Sequence, residues 1–221
     1  MVAGRCRIVY NQVHYMVCQI FSDKLIDFVS FRFHHFETRS SEKEFDMLYK
    51  FDGRQPTVGK DSYVSELATV IGDVVIGDNC YIGHGAILRG DYGRIEVGDG
   101  TAVEEGAVVH CPPGDVNRMG KRVTIGHGAV IHGRNIGDSA VIGMGAIVSI
   151  WADIGEWAIV AEGGIIKLNQ VIPARVVVAG NPAQIVRDVT EKDQEVWNMG
   201  KQVYIDLAKK YLDVGMEPIE G

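Results

Sequence analysis

Aliphatic residues recur along this chain every six positions. The series runs Val64, Val70, Ile76, Ile82, Leu88, then Val97, Val103, Val109, then Ile125, Ile131, then Ile136, Ile142, Val148, Ile154, Val160 and Ile166. Four positions after many of these stands a small residue: Cys80, Ala86, Thr101, Ala107, Ala129, Ala140, Ala146 and Ala158. Glycine often follows the aliphatic directly, as at Gly77, Gly83, Gly98, Gly126, Gly137, Gly143 and Gly155. A period of six matches neither the 3.6-residue turn of a helix nor the alternation of a simple hairpin array. It predicts a parallel β-helix of hexapeptide repeats, each repeat making one short strand and one corner. The aliphatic residue then fills a narrow interior and the small one fits beside it. The glycine is expected to take corner backbone angles that other residues avoid.

The pattern changes at the C-terminal flank. "TEKDQEVWNMGKQVYIDLAKKYL" (190–212) carries Val196, Trp197, Val203, Tyr204, Leu207, Ala208, Tyr211 and Leu212 at helical spacing. Thr190 and Asp193 stand where a capping pair would start that helix. The spacing predicts a β-helix domain over 47–188 and a helix with its tail over 189–221, packed along the outside of the coils. Residues 1–46 show mixed polarity and no hexapeptides.

Composition sharpens the reading. Glycine accounts for 27 of the 221 residues, well above an average of roughly 7%. The formal net charge of −7 argues against nucleic acid as a partner, because phosphate binding needs a basic face. No apolar run approaches the ~18 residues of a membrane span, and Asn11, Gln12, His14 and Gln19 interrupt any secretory-type hydrophobic stretch. Cys6, Cys18, Cys80 and Cys111 lack paired spacing, which suggests reduced thiols in a cytoplasmic protein.

Nearly the same nine residues occur twice, "IGHGAILRG" at 82–90 and "IGHGAVIHG" at 125–133. Leu88 to Val109 is 21 residues and Val109 to Ile131 is 22, one coil plus a short insertion each time. These three should therefore stack on one face. The residues that follow them, Arg89, His110 and His132, should form an outward column with steps of about 4.8 Å. Two imidazoles so placed can share a metal ion. His127 lies on the preceding corner, around an edge from that column, but in a trimer a neighbour's His127 could face it. Three histidines with an open position make a catalytic rather than a structural metal site. His84 matches His127 in the repeat, but its column partner is Arg89, so it is not expected to be a ligand. Cys111 reads as a buried or interface thiol and Cys80 as interior packing.

Taken together, the repeat resembles the left-handed β-helix proteins of the hexapeptide-repeat superfamily, with 18 residues per coil. The left hand rests on that resemblance, since general connection rules favour the right. "RGD" (89–91), "VVH" ending at His110, and His127 with His132 in "IGHGAVIHG" resemble the γ-class carbonic anhydrases, over roughly 47–212. The family's opening looks like "MLYKFDGRQPTV", starting at Met47, which makes 1–46 an extension or an upstream-read start. "AGNPAQIVR" (179–187) resembles its exit from the β-helix.

The resemblance implies a homotrimer with a metal site at each interface, two histidines coming from one subunit and one from the next. The metal would be Zn²⁺, with Fe²⁺ or Co²⁺ as alternatives given imidazole's tolerance of each. The implied reaction is the reversible hydration of CO₂ to bicarbonate by water activated on that ion. Arg89 and Asp91 would pair at the interface, and Tyr204 resembles a tyrosine of the family's terminal helix. Glu104 falls where the family has a glutamine near the metal water, as a candidate general base, and Ala102 replaces an asparagine. The loop "CPPGD" after His110 resembles the short-loop subclass. Rival readings on the same fold are an acyl-CoA transferase or thioesterase, and a non-catalytic, metal-stabilised trimeric module.

Overall fold

The structure, a computed structural model, describes residues 47–219; the segment 1–46 lies outside it. It is a mainly-β, left-handed parallel β-solenoid of about seven turns with one terminal helix. Three interior columns hold it together. Val64, Ile82, Val103, Ile125, Ile142, Val160 and Val178 pair in register up one face. Val70, Leu88, Val109, Ile131, Val148 and Ile166 climb the second. Ile76, Val97, Met119, Ile136, Ile154 and Ile172 climb the third. Nearly all are fully buried, with Cys80, Ala86, Ala107, Ala129, Ala140, Ala146 and Ala158 filling the space between them.

Met119 extends the six-residue series into its gap between Val109 and Ile125, and Ile172 and Val178 continue it beyond Ile166. Met119 stands six residues before Ile125, and its unbranched side chain takes an interior place otherwise given to Ile or Val. Two strands are long: Thr69–Ile76 and Ile87–Val97 run on around a corner and join the second and third faces into one sheet. The register between them slips after Gly72, where Gly72 pairs Gly90 but Val74 pairs Ile95. That slip of three residues is the short insertion counted between Leu88 and Val109.

The glycines following the aliphatic residues do not act as expected. None of Gly77, Gly83, Gly98, Gly126, Gly137, Gly143 or Gly155 has a positive φ. Their role is close stacking: a Cβ on Gly126 would lie 2.8 Å from Met144 N, and one on Gly143 2.6 Å from Glu162 N. The left-handed corner angle falls two positions later, on Gly85, Gly106, Gly128 and Gly145, and also on Asn79, Ser139 and Trp157.

The helix Glu191–Val214 starts at Thr190, whose side chain accepts from Asp193 N–H while the Asp193 carboxylate accepts from Thr190 N–H. It lies on the first face. Ala208 packs with Tyr63, Tyr81 and Ala102, and Trp197 with Val141, Ile159 and Val177. The buried stripe differs from the one read in sequence. Lys201, Ile205 and Ala208 are buried, whereas Val196 and Val203 are exposed. Among the described residues, no helix is long and apolar enough to cross a membrane.

Candidate metal centre

Strand register builds the first half of the site. Leu88, Val109 and Ile131 stack inward, so Arg89 and His110 pair directly and His132 follows on the next coil. His110 Nδ1 lies 3.0 Å from His132 Nε2, with ring centroids 4.8 Å apart. Nitrogens bound to one tetrahedral Zn²⁺ sit about 3.3 Å from each other, so the pair fits a shared ion without large movement. His132 is held below the ordinary imidazole value by burial first, then by the charges of His110 and Arg89. A depressed value keeps the ring neutral, the form that ligates metal.

Asp91 organises this half. Its Oδ2 is 2.5 Å from Arg89 Nη1 and its Oδ1 3.2 Å from His110 Nε2. Arg54 also donates to the Asp91 carbonyl. Burial works to raise the Asp91 carboxyl, but the hydrogen bonds and charges of Arg89 and His110 outweigh it and hold the value low. A proton on His110 Nε2 is thus directed at Asp91, which leaves the Nδ1 lone pair facing His132. Gly90 is obligatory between them, because a Cβ there would collide with the Asp73 carbonyl.

His127 occupies the corner between the helix-covered face and the Arg89–His110–His132 face. Its Nδ1 is 2.7 Å from Glu105 Oε2, its Nε2 3.2 Å from Glu104 Oε2, and the Tyr204 hydroxyl is 3.5 Å from Nε2. Glu104 is 5% exposed and accepts from the backbone N–H of His127. Burial raises its pKa against the opposing pull of His127 and a hydrogen bond from Tyr204. Tyr204 is raised in turn, by burial and then by the charge of Glu104. Within one chain these groups stand apart from His110 and His132. Among the described residues, no three His, Cys, Asp or Glu side chains form a metal-holding group.

His84 is held structurally. Its Nδ1 is 2.5 Å from Ser65 Oγ and its Nε2 3.2 Å from the Tyr211 hydroxyl, with the Tyr63 and Tyr211 rings edge-on to it. Cys111 and Cys80 are free, fully buried thiols, and burial pushes each up to about 11. Sequence reasoning missed Glu105 and Lys201. Glu105 was readable, because "VEEG" (103–106) occupies the coil position of "IGHG" at 82–85 and 125–128, placing Glu105 between His84 and His127. Lys201 carried no sequence signal, since a lysine on an amphipathic helix normally faces water.

A left-handed β-solenoid built from hexapeptide repeats defines a class, the hexapeptide-repeat proteins. The profile of the family described as bacterial transferase hexapeptide (six repeats) matches residues 55–90. The carnitine operon protein CaiE of Citrobacter koseri is 41% identical over 160 residues, 72% of this chain and 81% of that protein. Gamma carbonic anhydrase 2, mitochondrial, of Arabidopsis thaliana is 38% identical over 169 residues, 74% of this chain but only 60% of that protein. The crystal structure of a hexapeptide transferase family protein from Anaplasma phagocytophilum matches with a TM-score of 0.71 at 34% identity, covering 75% of this chain and 98% of that one. This chain belongs to the hexapeptide-repeat, left-handed β-helix family, in which relatives bear both carbonic anhydrase and transferase names.

Proposed function

We propose that this chain is a metal-dependent hydratase of the γ-class carbonic anhydrase kind, interconverting CO₂ and bicarbonate as a homotrimer. The observation that carries the reading is the His110–His132 pair, two ring nitrogens 3.0 Å apart on an outward face. His110 and His132 of one subunit, with His127 of the next, would hold Zn²⁺, Fe²⁺ or Co²⁺. Bound there, such an ion supplies Lewis acidity and brings the pKa of water to about 7, which is the handling of water that carbonic anhydrase exemplifies.

The remaining work falls to the chain itself. Asp91 orients His110 and is fixed by Arg89. Glu104, 3.2 Å from His127 Nε2, would accept a proton from a reacting water, with Tyr204 donating to it. Ile87, Val130 and Ile147 are partly exposed on the same face, and an apolar groove of about 410 Å³ lies beside His132. Apolar surface flanking a half-built site favours its burial against a second copy.

A second reading, acyl transfer from a CoA thioester, is favoured by the matched transferase family and by the likeness to the Anaplasma hexapeptide transferase family protein. Stopped-flow CO₂ hydration on anaerobically purified protein, with metal analysis of the same sample, separates the two. Bound metal with hydration supports the first reading. Metal-free protein that consumes acetyl-CoA establishes the second, and metal without turnover leaves a stabilised assembly module.

A further inference from the structure

The corner that carries His127 repeats its geometry on three successive coils. The backbone N–H groups of Gly106, Gly128 and Gly145 bond to the carbonyls of His84, Glu105 and His127 respectively. Glu105 therefore sits directly beneath His127 and above His84 in one corner stack. Its two oxygens are both engaged: Oε2 lies 2.7 Å from His127 Nδ1, and Oε1 accepts from the Tyr81 hydroxyl at 2.5 Å. Tyr81 is itself immobile, 1% exposed and packed against Tyr63, Tyr204 and Tyr211. The carboxylate is thus pinned from the protein side and presents its free oxygen to one nitrogen of one ring.

We infer that Glu105 is the positioning residue of His127: at 2.7 Å it takes the Nδ1 proton in preference to Glu104, which lies 3.2 Å from Nε2, and so leaves Nε2 as the ligand atom. This inference rests on the metal reading above. A neutral imidazole has one protonated nitrogen, and of the two carboxylates in reach of this ring the nearer, Glu105, selects which. Asp91 has the same relation to His110, through the opposite nitrogen. The two halves of the divided site then share one design, a carboxylate behind one histidine of each half. The arrangement also accounts for Glu105 standing between two histidines in the corner stack. A third histidine there would remove the Nδ1 acceptor and leave Glu104, beside Nε2, as the carboxylate in reach of the ring.

Such a partner typically contributes 10–100-fold in metal affinity. The test uses the full chain and three variants, Glu105→Ala, Glu105→Gln and Tyr81→Phe. Zn²⁺ affinity is measured by chelator competition. The His127 tautomer is read in metal-free protein by ¹⁵N NMR at mildly alkaline pH, with the resonance assigned by its absence in His127→Ala. Glu105→Ala is expected to weaken Zn²⁺ at least 10-fold and to mix the tautomers. Glu105→Gln, whose amide oxygen still accepts, should recover most of both, and Tyr81→Phe should give an intermediate loss.

Wild-type Zn²⁺ affinity and an unchanged tautomer in Glu105→Ala would overturn the positioning role and leave the metal reading standing. Loss of affinity with an unchanged tautomer would also overturn it, because a merely structural defect moves only the first. Wild-type protein that takes up no metal would sink both.

Discussion

A histidine ring offers two nitrogens, and its neighbours decide which one is available. At His110 and His127 those neighbours are carboxylates, and at His84 they are two hydroxyls. This separates a structural histidine from candidate ligands more firmly than the near-identical nonapeptides could. Glu104 illustrates the same dependence on surroundings. Replacing it with glutamine removes a negative charge next to the group that must lose a proton, so that group becomes more acidic. The pH–rate profile for CO₂ hydration in Glu104→Gln should therefore move to lower pH. An unmoved profile would place Glu104 outside the reaction. In the interior, Ile142 is fully buried between Ile125 and Val160. Its truncation to alanine should cost about 2–5 kcal/mol, since a stacked column cannot collapse into the gap. Urea unfolding measures that loss.

The terminal helix is tied to the coils by an unusual element, a lysine that is 1% exposed. Lys201 Nζ lies 3.3 Å from Thr124 Oγ1, and over the Trp157 and Trp197 rings at 5.7 and 5.4 Å. Burial pulls its pKa down to about 7, with Arg122 pulling the same way and Glu104 opposing. The sign follows from proton counting. Between about pH 7 and the unfolded value near 10.5, the unfolded chain holds a proton that the folded chain does not, so stability rises with pH across that window. Below about pH 7 the full penalty of burying the charge remains. Lys201→Met should therefore melt at a higher temperature than wild type at pH 7, with the difference shrinking by pH 9. Scanning fluorimetry at the two pH values checks it, and a pH-independent difference would assign the effect to packing alone. At the other end of the helix, Thr190→Ala breaks the capping box and should cost about 1 kcal/mol.

At the scale of the whole molecule, the proposed site is divided between a face and a corner, so the proposal stands or falls on assembly. His110→Ala and His127→Ala should each abolish metal binding alone. Mixed by co-refolding, they should restore about a quarter of wild-type metal, because an intact site needs the right mutant on each side of an interface. No recovery from well-mixed trimers would mean that the three histidines act within one chain. The carbonyl of the buried Met47 accepts from Val70 N–H in the first coil. A chain beginning there should fold, assemble and bind metal like the full protein. Size-exclusion chromatography with light scattering tests this, and loss of the trimer would assign residues 1–46 a structural role.

How much of this was legible in the residues depends on the range of the interaction. The period of six settles the coil, the inward columns and the outward Arg89–His110–His132 stack, because each follows from backbone stacking that repeats along the chain. Counting residues across one insertion was enough to put Arg89 beside His110, and across a second to put His132 beside His110. The same count could have found Glu105. The helix was legible as a helix, but not its buried stripe. Its docking face is chosen by the tyrosines and tryptophan it meets, and the meeting brings Lys201 against Thr124 from 77 residues away. Nor did the pattern reveal which glycines bend the corner and which let one coil lie on the next, since both look alike until the neighbouring coil is in place. Local periodicity specified the scaffold. The pairing of His110 and His127 with their carboxylates, and the burial of a lysine, depended on closure of the coils and on the helix that covers them.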